Sequence, residues 1–448
     1  MAINHRVSRR ELLRLTACGA FGASMSRWMP AFANEISKST NRRKSVILLW
    51  MTGGPPQTDT FDMKPSHENG GQFKAIDTSV PGIQICQHLP QVARLMEDCV
   101  PIRSMSTKEG DHTRGTYLMR TGNLPTGPIN YPTMGSLLSK ELGAESSDIP
   151  NFVAVAPYTQ FSPSAYGPGF LGPKFAPLVV GDDNRVTPGG NSMNYDHSLG
   201  VKNLELSNGI NTNRADARLS LLDAFESDFA TDRPGLVADS HREAYAAAVR
   251  MMRSEAVKAF QLDIEPDKLR DAYGRNQFGQ ACLLARRLVE RGVPFVEVSL
   301  NGVANNQTFA WDTHQQNFIA VKGLLGVLDP AWATLMKDLK DRGLLESTLI
   351  VWMGEFGRTP KINPQVGRDH FPAAWTSVLC GGGIKGGQTI GRTSGDGMTV
   401  EDRPVSVQDL FCTICHALGL DPMKQNLSNV GRPIRLADPT AKPITEIL

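Results

Sequence analysis

Val46-Ile47-Leu48-Leu49-Trp50-Met51 is the stretch whose reading decides the fold. Six apolar residues in a row, without polar alternation, mark a strand buried on both faces, and such strands belong to parallel sheets covered by helices. The run ends abruptly in Thr52-Gly53-Gly54-Pro55-Pro56, which can only be a loop. Outward from it, the pattern predicts strands at 100–104, 151–155, 293–298, 348–353 and 377–379. Helices are expected at 89–96, 113–119, 134–142, 318–342 and 405–419, with further helical spacing over 215–289. This alternation argues an α/β fold, a doubly wound, mostly parallel sheet with helices on both faces, as one domain over 45–448. Residues 157–213 are dense in Gly, Pro, Ser and Asn and read as long loops bordering a site.

The N-terminus carries Ser8-Arg9-Arg10-Glu11-Leu12-Leu13-Arg14, a weakly apolar segment, and Ala31-Phe32-Ala33. These read as a twin-arginine signal peptide over 1–33, followed by a polar linker over 34–44 and a periplasmic or secreted destination. Leu15-Thr16-Ala17-Cys18 superficially fits a lipoprotein box but leaves almost no apolar segment ahead of it, so lipidation ranks second. Removing 1–33 takes five Arg from 47 basic residues and one Glu from 45 acidic ones, which turns a net charge of +2 into −2. The basic balance thus belongs to the leader, and nucleic-acid binding is not expected. The rest of the chain holds no further apolar run read as a membrane span, and nothing in it points to a protein partner.

Cys86, Cys99, Cys282, Cys380, Cys412 and Cys415 follow the leader. An even number permits disulfides in an oxidising compartment, while their sparseness and apolar contexts favour buried thiols. Cys412-Thr413-Ile414-Cys415-His416 matches the haem-attachment pattern literally. It lies inside an apolar-periodic helix, so core residues are the better reading and haem is not expected.

Phe309 to Phe318 reads F-A-W-D-T-H-Q-Q-N-F, and places Asp312 two residues from His314 beyond an apolar run; Asp369-His370 forms a second such pair. Carboxylate and imidazole ligands suit zinc or a similar divalent ion and suggest a metal-assisted hydrolase site. Arg358 and Arg368 carry guanidinium groups suited to sulfate, phosphate or carboxylate, and the Gly53-Gly54 backbone is a candidate for anion contact. The loop lacks the spacing and Lys of a nucleotide-binding P-loop.

Taken together, G-G-P-P-Q-T-D-T-F-D (Gly53 to Asp62), W-D-T-H (Trp311 to His314), G-E-F-G-R-T-P (Gly354 to Pro360) and G-R-D-H (Gly367 to His370) resemble a bacterial secreted family. It is the family called domain of unknown function 1501, a branch of the alkaline phosphatase and sulfatase superfamily. The resemblance implies a doubly wound fold with its site at the carboxyl ends of the strands. It implies divalent metal, zinc or calcium with manganese as a further option, bound by Asp312, His314 and His370, with Glu355 and Asp59 completing or orienting the site. Thr113 or His112 falls near the superfamily's nucleophile position. The superfamily's second metal site departs here, because its ligand positions fall on Thr52, Glu355 and Phe356. The expected activity is hydrolysis of sulfate or phosphate esters, with an anionic ester or polysaccharide as substrate. The alternative is a non-catalytic periplasmic binding or assembly protein that keeps the fold.

Overall fold

The computed structural model describes residues 43–125, 127–181, 199–202, 204, 206, 209–232, 236–303 and 308–448. The expected signal peptide, nearly all of the 34–44 linker, and 182–198 of the expected loop region lie outside these residues.

Seven strands form the central sheet: β1 Ser45–Met51, β2 Cys99–Met105, β3 Phe152–Val155, β4 Leu178–Val180, β5 Phe295–Leu300, β6 Thr348–Met353 and β7 Trp375–Gly381. Their spatial order is β2-β7-β6-β1-β5-β3-β4. β1 pairs parallel with β5 and β6, and β3 parallel with β5 and β4; β7 alone runs antiparallel, to both β6 and β2. The fold class is the doubly wound, mostly parallel α/β arrangement that the sequence predicts.

β1 shows why its residues are apolar without alternation. Ile47, Leu49 and Met51 enter one core, and Val46, Leu48 and Trp50 enter a second core on the opposite face. A strand's side chains alternate in direction, so a strand covered on both faces needs apolar residues at every position. Helices α6 Gln277–Glu290 and α7 Asn317–Asp341 supply the first core. Helices α1 His112–Thr121, α2 Met134–Leu142 and α8 Val407–Ala417 supply the second. Three more helices, α3 Thr212–Asp232, α4 Leu236–Arg253 and α5 Asp267–Tyr273, precede α6 in the chain. α8 carries Cys412 and Cys415 on its buried face, as its apolar period predicts.

Two expectations shift. The helix expected at 89–96 shortens to Pro90–Ala93, followed by a 3-10 turn at Met96–Asp98. By length and composition α7 would cross a membrane, which the sequence reading did not anticipate, but 61% of its most apolar window is buried inside the fold. Its Trp332 stacks on Trp352 of β6 inside the first core.

Because β7 is antiparallel, its amino end lies at the edge of the sheet where β1, β2, β5 and β6 have their carboxyl ends. Segments far apart in sequence therefore meet along one edge.

Candidate metal centre

β2 leads to Asp111, whose carboxylate accepts the Arg114 N–H at 3.1 Å and caps α1. This cap fixes His112 as the first helical residue. After β5, Trp311 N–H donates to the Thr52 carbonyl at 3.0 Å, which holds Asp312 against the end of β1. Gly53 permits that approach: at φ 104°, a Cβ on it would come within 2.5 Å of the Asp312 nitrogen. Gly367 does the same for His314, whose carbonyl oxygen would lie 1.9 Å from an added Cβ. His370 pairs with Arg358 in a two-residue antiparallel ladder just before β7.

Three imidazoles converge on one carboxylate oxygen. The Asp312 Oδ1 lies 3.3 Å from His112 Nε2, 3.1 Å from His314 Nε2 and 3.3 Å from His370 Nε2. Each ring is held from behind through Nδ1: His112 by Glu355 Oε1 at 2.7 Å, His314 by Asp369 Oδ1 at 2.7 Å, and His370 by the Gly110 carbonyl at 2.7 Å. Carboxylates and carbonyls only accept, so each Nδ1 is the donor, and in the neutral ring Nε2 carries the lone pair. Around Asp312 Oδ1, which also accepts from Arg358 at 2.5 Å, such ring nitrogens are matched either by protons in the metal-free protein or by a bound cation.

The donor set fits a divalent metal. His112, Asp312 and His370 offer ligand atoms that all lie within 4.8 Å of one another, and the buried His112 Nε2 faces Asp312 Oδ1 at 3.3 Å. In a tetrahedral site with bonds of about 2.0–2.1 Å, neighbouring ligand atoms stand about 3.3 Å apart, close to the spacings here. His314 stands at the rim, 45% exposed, beside a cavity of about 410 Å³ lined by Phe309, Asp312, Gln315, Asn363 and Asp369 among others.

The electrostatics follow from this crowding. Burial would raise the Asp312 carboxyl, but hydrogen bonds from His112 and His370 and the charge of Arg358 hold it well below the usual carboxylate range. Burial depresses His112, and its hydrogen bonds to Asp312 and Glu355 with their charges outweigh this, leaving it pushed up to about 9. The hydrogen bond from His314 holds Asp369 below its ordinary value.

Several expected site residues take other places. Glu355 Oε1 accepts from Gly53 N at 2.9 Å as well as from His112, so it orients the His112 ring from behind. Asp59 does not join the cluster; it is fully buried, with Arg368 at 2.7 and 2.8 Å and Asn317 Nδ2 at 2.7 Å. Arg368 commits all five N–H groups, to both Asp59 oxygens and to the carbonyls of Thr359, Pro360 and Asn69. It has none left for a substrate anion. Arg358 is equally buried, donating to the carbonyls of Gly53, Gly54 and Arg368 and to Asp312 at 2.5 Å. Gly53 N–H goes to Glu355 and Gly54 N–H to the Met51 carbonyl, so this loop does not present its donors to an anion. Thr113 is exposed, and among the described residues its hydroxyl makes no hydrogen bond to the cluster. At the superfamily's second-site positions, Thr52 donates to Asn301 Oδ1 at 2.7 Å, and the Phe356 ring packs 5.0 Å from His112 and 4.7 Å from His370.

Phe161 had no signal in the sequence. It stacks on His112 with centroids 4.1 Å apart and planes 10° apart, and touches Tyr158 and Phe309 edge-on. It comes from an aperiodic loop, where pattern carries no information about direction.

The fold and site define a doubly wound α/β protein with a histidine-rich candidate metal centre at one edge of its sheet. The family described as "Protein of unknown function (DUF1501)" matches over residues 43–448, and the chain belongs to it. Similar solved structures include the PsFucS1 sulfatase from Pseudoalteromonas sp., at 14% identity and TM-score 0.36, covering 89% of this chain and 72% of that one. A protein in the alkaline phosphatase superfamily from Vibrio parahaemolyticus is 12% identical with a TM-score of 0.40, covering 90% and 77%. The lipoteichoic acid synthase LtaP from Listeria monocytogenes is 11% identical with a TM-score of 0.36, covering 91% and 80%. No curated protein matches the sequence.

Proposed function

We propose that this chain is an exported, metal-dependent hydrolase of sulfate or phosphate esters. One observation carries the reading: three imidazole Nε2 atoms, each fixed from behind, converge on Asp312 Oδ1 beside an open cavity. His112, Asp312 and His370 hold the metal, and Glu355 and the Gly110 carbonyl orient the two rings. Imidazole and carboxylate favour zinc over calcium, which takes six to eight oxygen ligands. A bound zinc ion supplies Lewis acidity and lowers the pKa of water. His314, held by Asp369 and open to the cavity, is placed to give or take the proton that ester cleavage moves. Among the described residues the cavity lining contains no Lys or Arg, so the imidazoles and a bound metal, rather than Arg358 or Arg368, would meet the ester's charge. Water is the nucleophile in this reading, since Thr113 is turned to solvent. The twin-arginine leader supports export to the periplasm or beyond, where a polysaccharide ester is a fitting substrate.

The test is turnover of 4-nitrophenyl phosphate and 4-nitrophenyl sulfate by the zinc-loaded full chain. His112→Ala is expected to lose both metal and turnover, and His314→Ala to keep metal while losing roughly 100-fold or more in rate. Stoichiometric metal without turnover of either ester favours a second reading, a non-catalytic binding or assembly protein. The internal commitment of all Arg368 donors supports that second reading.

A further inference from the structure

We infer that Cys99 and Cys380 are the site of a disulfide that staples edge strand β2 to β7. The two residues stand directly opposite each other in the antiparallel β2–β7 ladder. Opposed residues in such ladders have Cα atoms about 4.5–5.5 Å apart, within the roughly 4.4–6.8 Å that a disulfide spans. Their sulfurs lie 2.8 Å apart, and both residues are fully buried. Among the described residues no other cysteine pair makes a sulfur–sulfur hydrogen bond, and Met336 Sδ also lies 3.8 Å from Cys99 Sγ. The pair is therefore selected by register, independently of the Cys412-x-x-Cys415 motif.

The position bears on the metal centre. β2 is an outermost strand of the sheet and includes Pro101, which cannot donate to the ladder. Its carboxyl end leads to His112, and β7 is entered from His370. A covalent link between Cys99 and Cys380 closes the far end of this strand pair and restrains the edge from fraying, which keeps the two imidazoles in register. The reaction is a thiol–disulfide exchange. The two thiols lose two protons and two electrons, the Sγ–Sγ bond forms, and an oxidised small-molecule disulfide is reduced to two thiols. Full burial means that exchange occurs during folding or while β2 is locally open.

The full chain is unfolded in urea, refolded with oxidised and reduced glutathione, then denatured, alkylated and mapped by mass spectrometry. The expected result is a Cys99 peptide joined to a Cys380 peptide, with Cys86, Cys282, Cys412 and Cys415 alkylated. The linked form should melt several degrees above the reduced form. Cys380→Ala should fold and show no difference between the two conditions. Alkylation of both Cys99 and Cys380, linkage to another cysteine or to glutathione, or a linked form that melts no higher than the reduced one would overturn the inference.

Discussion

Arg368 and Asp59 show how a motif changes meaning once its surroundings are known. In sequence, an arginine two residues before a candidate metal-binding histidine reads as an anion clamp. In the structure its five donors meet five acceptors and both partners are fully buried, so the pair braces the loop that carries His370. Removing one partner leaves a buried charge alone, which costs about 3–5 kcal/mol. Arg368→Met should therefore lose about that much stability in urea titrations, and a loss below about 1 kcal/mol would return Arg368 to the anion-binding role. His112 supplies the second residue-scale prediction. In the metal-free protein its pKa stands at about 9, above the ordinary 6.5. The folded state thus binds this proton more tightly than the unfolded chain does. The stabilisation is complete below about pH 6.5 and is lost as pH rises to about 9, a change of at most about 3 kcal/mol. With chelator present, the melting temperature of wild type relative to His112→Gln should fall across that window. A flat difference would contradict the buried contacts to Asp312 and Glu355. Asp312, His314 and His370 were legible as ligand types at close spacing. The anchoring of His112 by Glu355 was not, because the two are 243 residues apart and only the sheet brings them together.

At the scale of elements, the parallel strands and long helices followed from apolar runs and period, since burial on both faces leaves no freedom at β1. β4 escaped notice because three residues in an aperiodic loop carry no pattern. Asp312 and His314 sit on a turn, while His112 opens α1 and His370 lies in the short ladder with Arg358. Ala310, Gln316 and Val366 all have positive φ, at 48°, 51° and 56°, in the segments that carry Asp312, His314 and His370. Val366 is the most strained, because a β-branched side chain crowds this region. Its carbonyl accepts the N–H of Asn317, the first residue of α7, so the turn is held in place by the helix it caps. Val366 is also exposed, so little packing is lost on truncation. Val366→Gly should raise stability by roughly 1 kcal/mol, the strain relieved less the added chain entropy of glycine. A lowered urea midpoint would show that the side chain contributes more than the strain costs.

Across the whole molecule, two apolar cores clamp the sheet, and the candidate metal centre lies along one edge. His112, Asp312, His314 and His370 arrive there from loops after β2 and β5 and from the segment before the antiparallel β7. This is why the class of fold could be read from apolar runs, and these four residues as candidates, while their convergence on Asp312 could not. The central claim is that His112, Asp312 and His370 hold a metal. Elemental analysis of the full chain, purified without chelator or added metal, tests it most directly. The account predicts about one zinc per chain, lost in His112→Ala and in His370→Ala while both variants remain folded. A stably folded wild-type chain without bound metal, and unable to take up zinc, would contradict it.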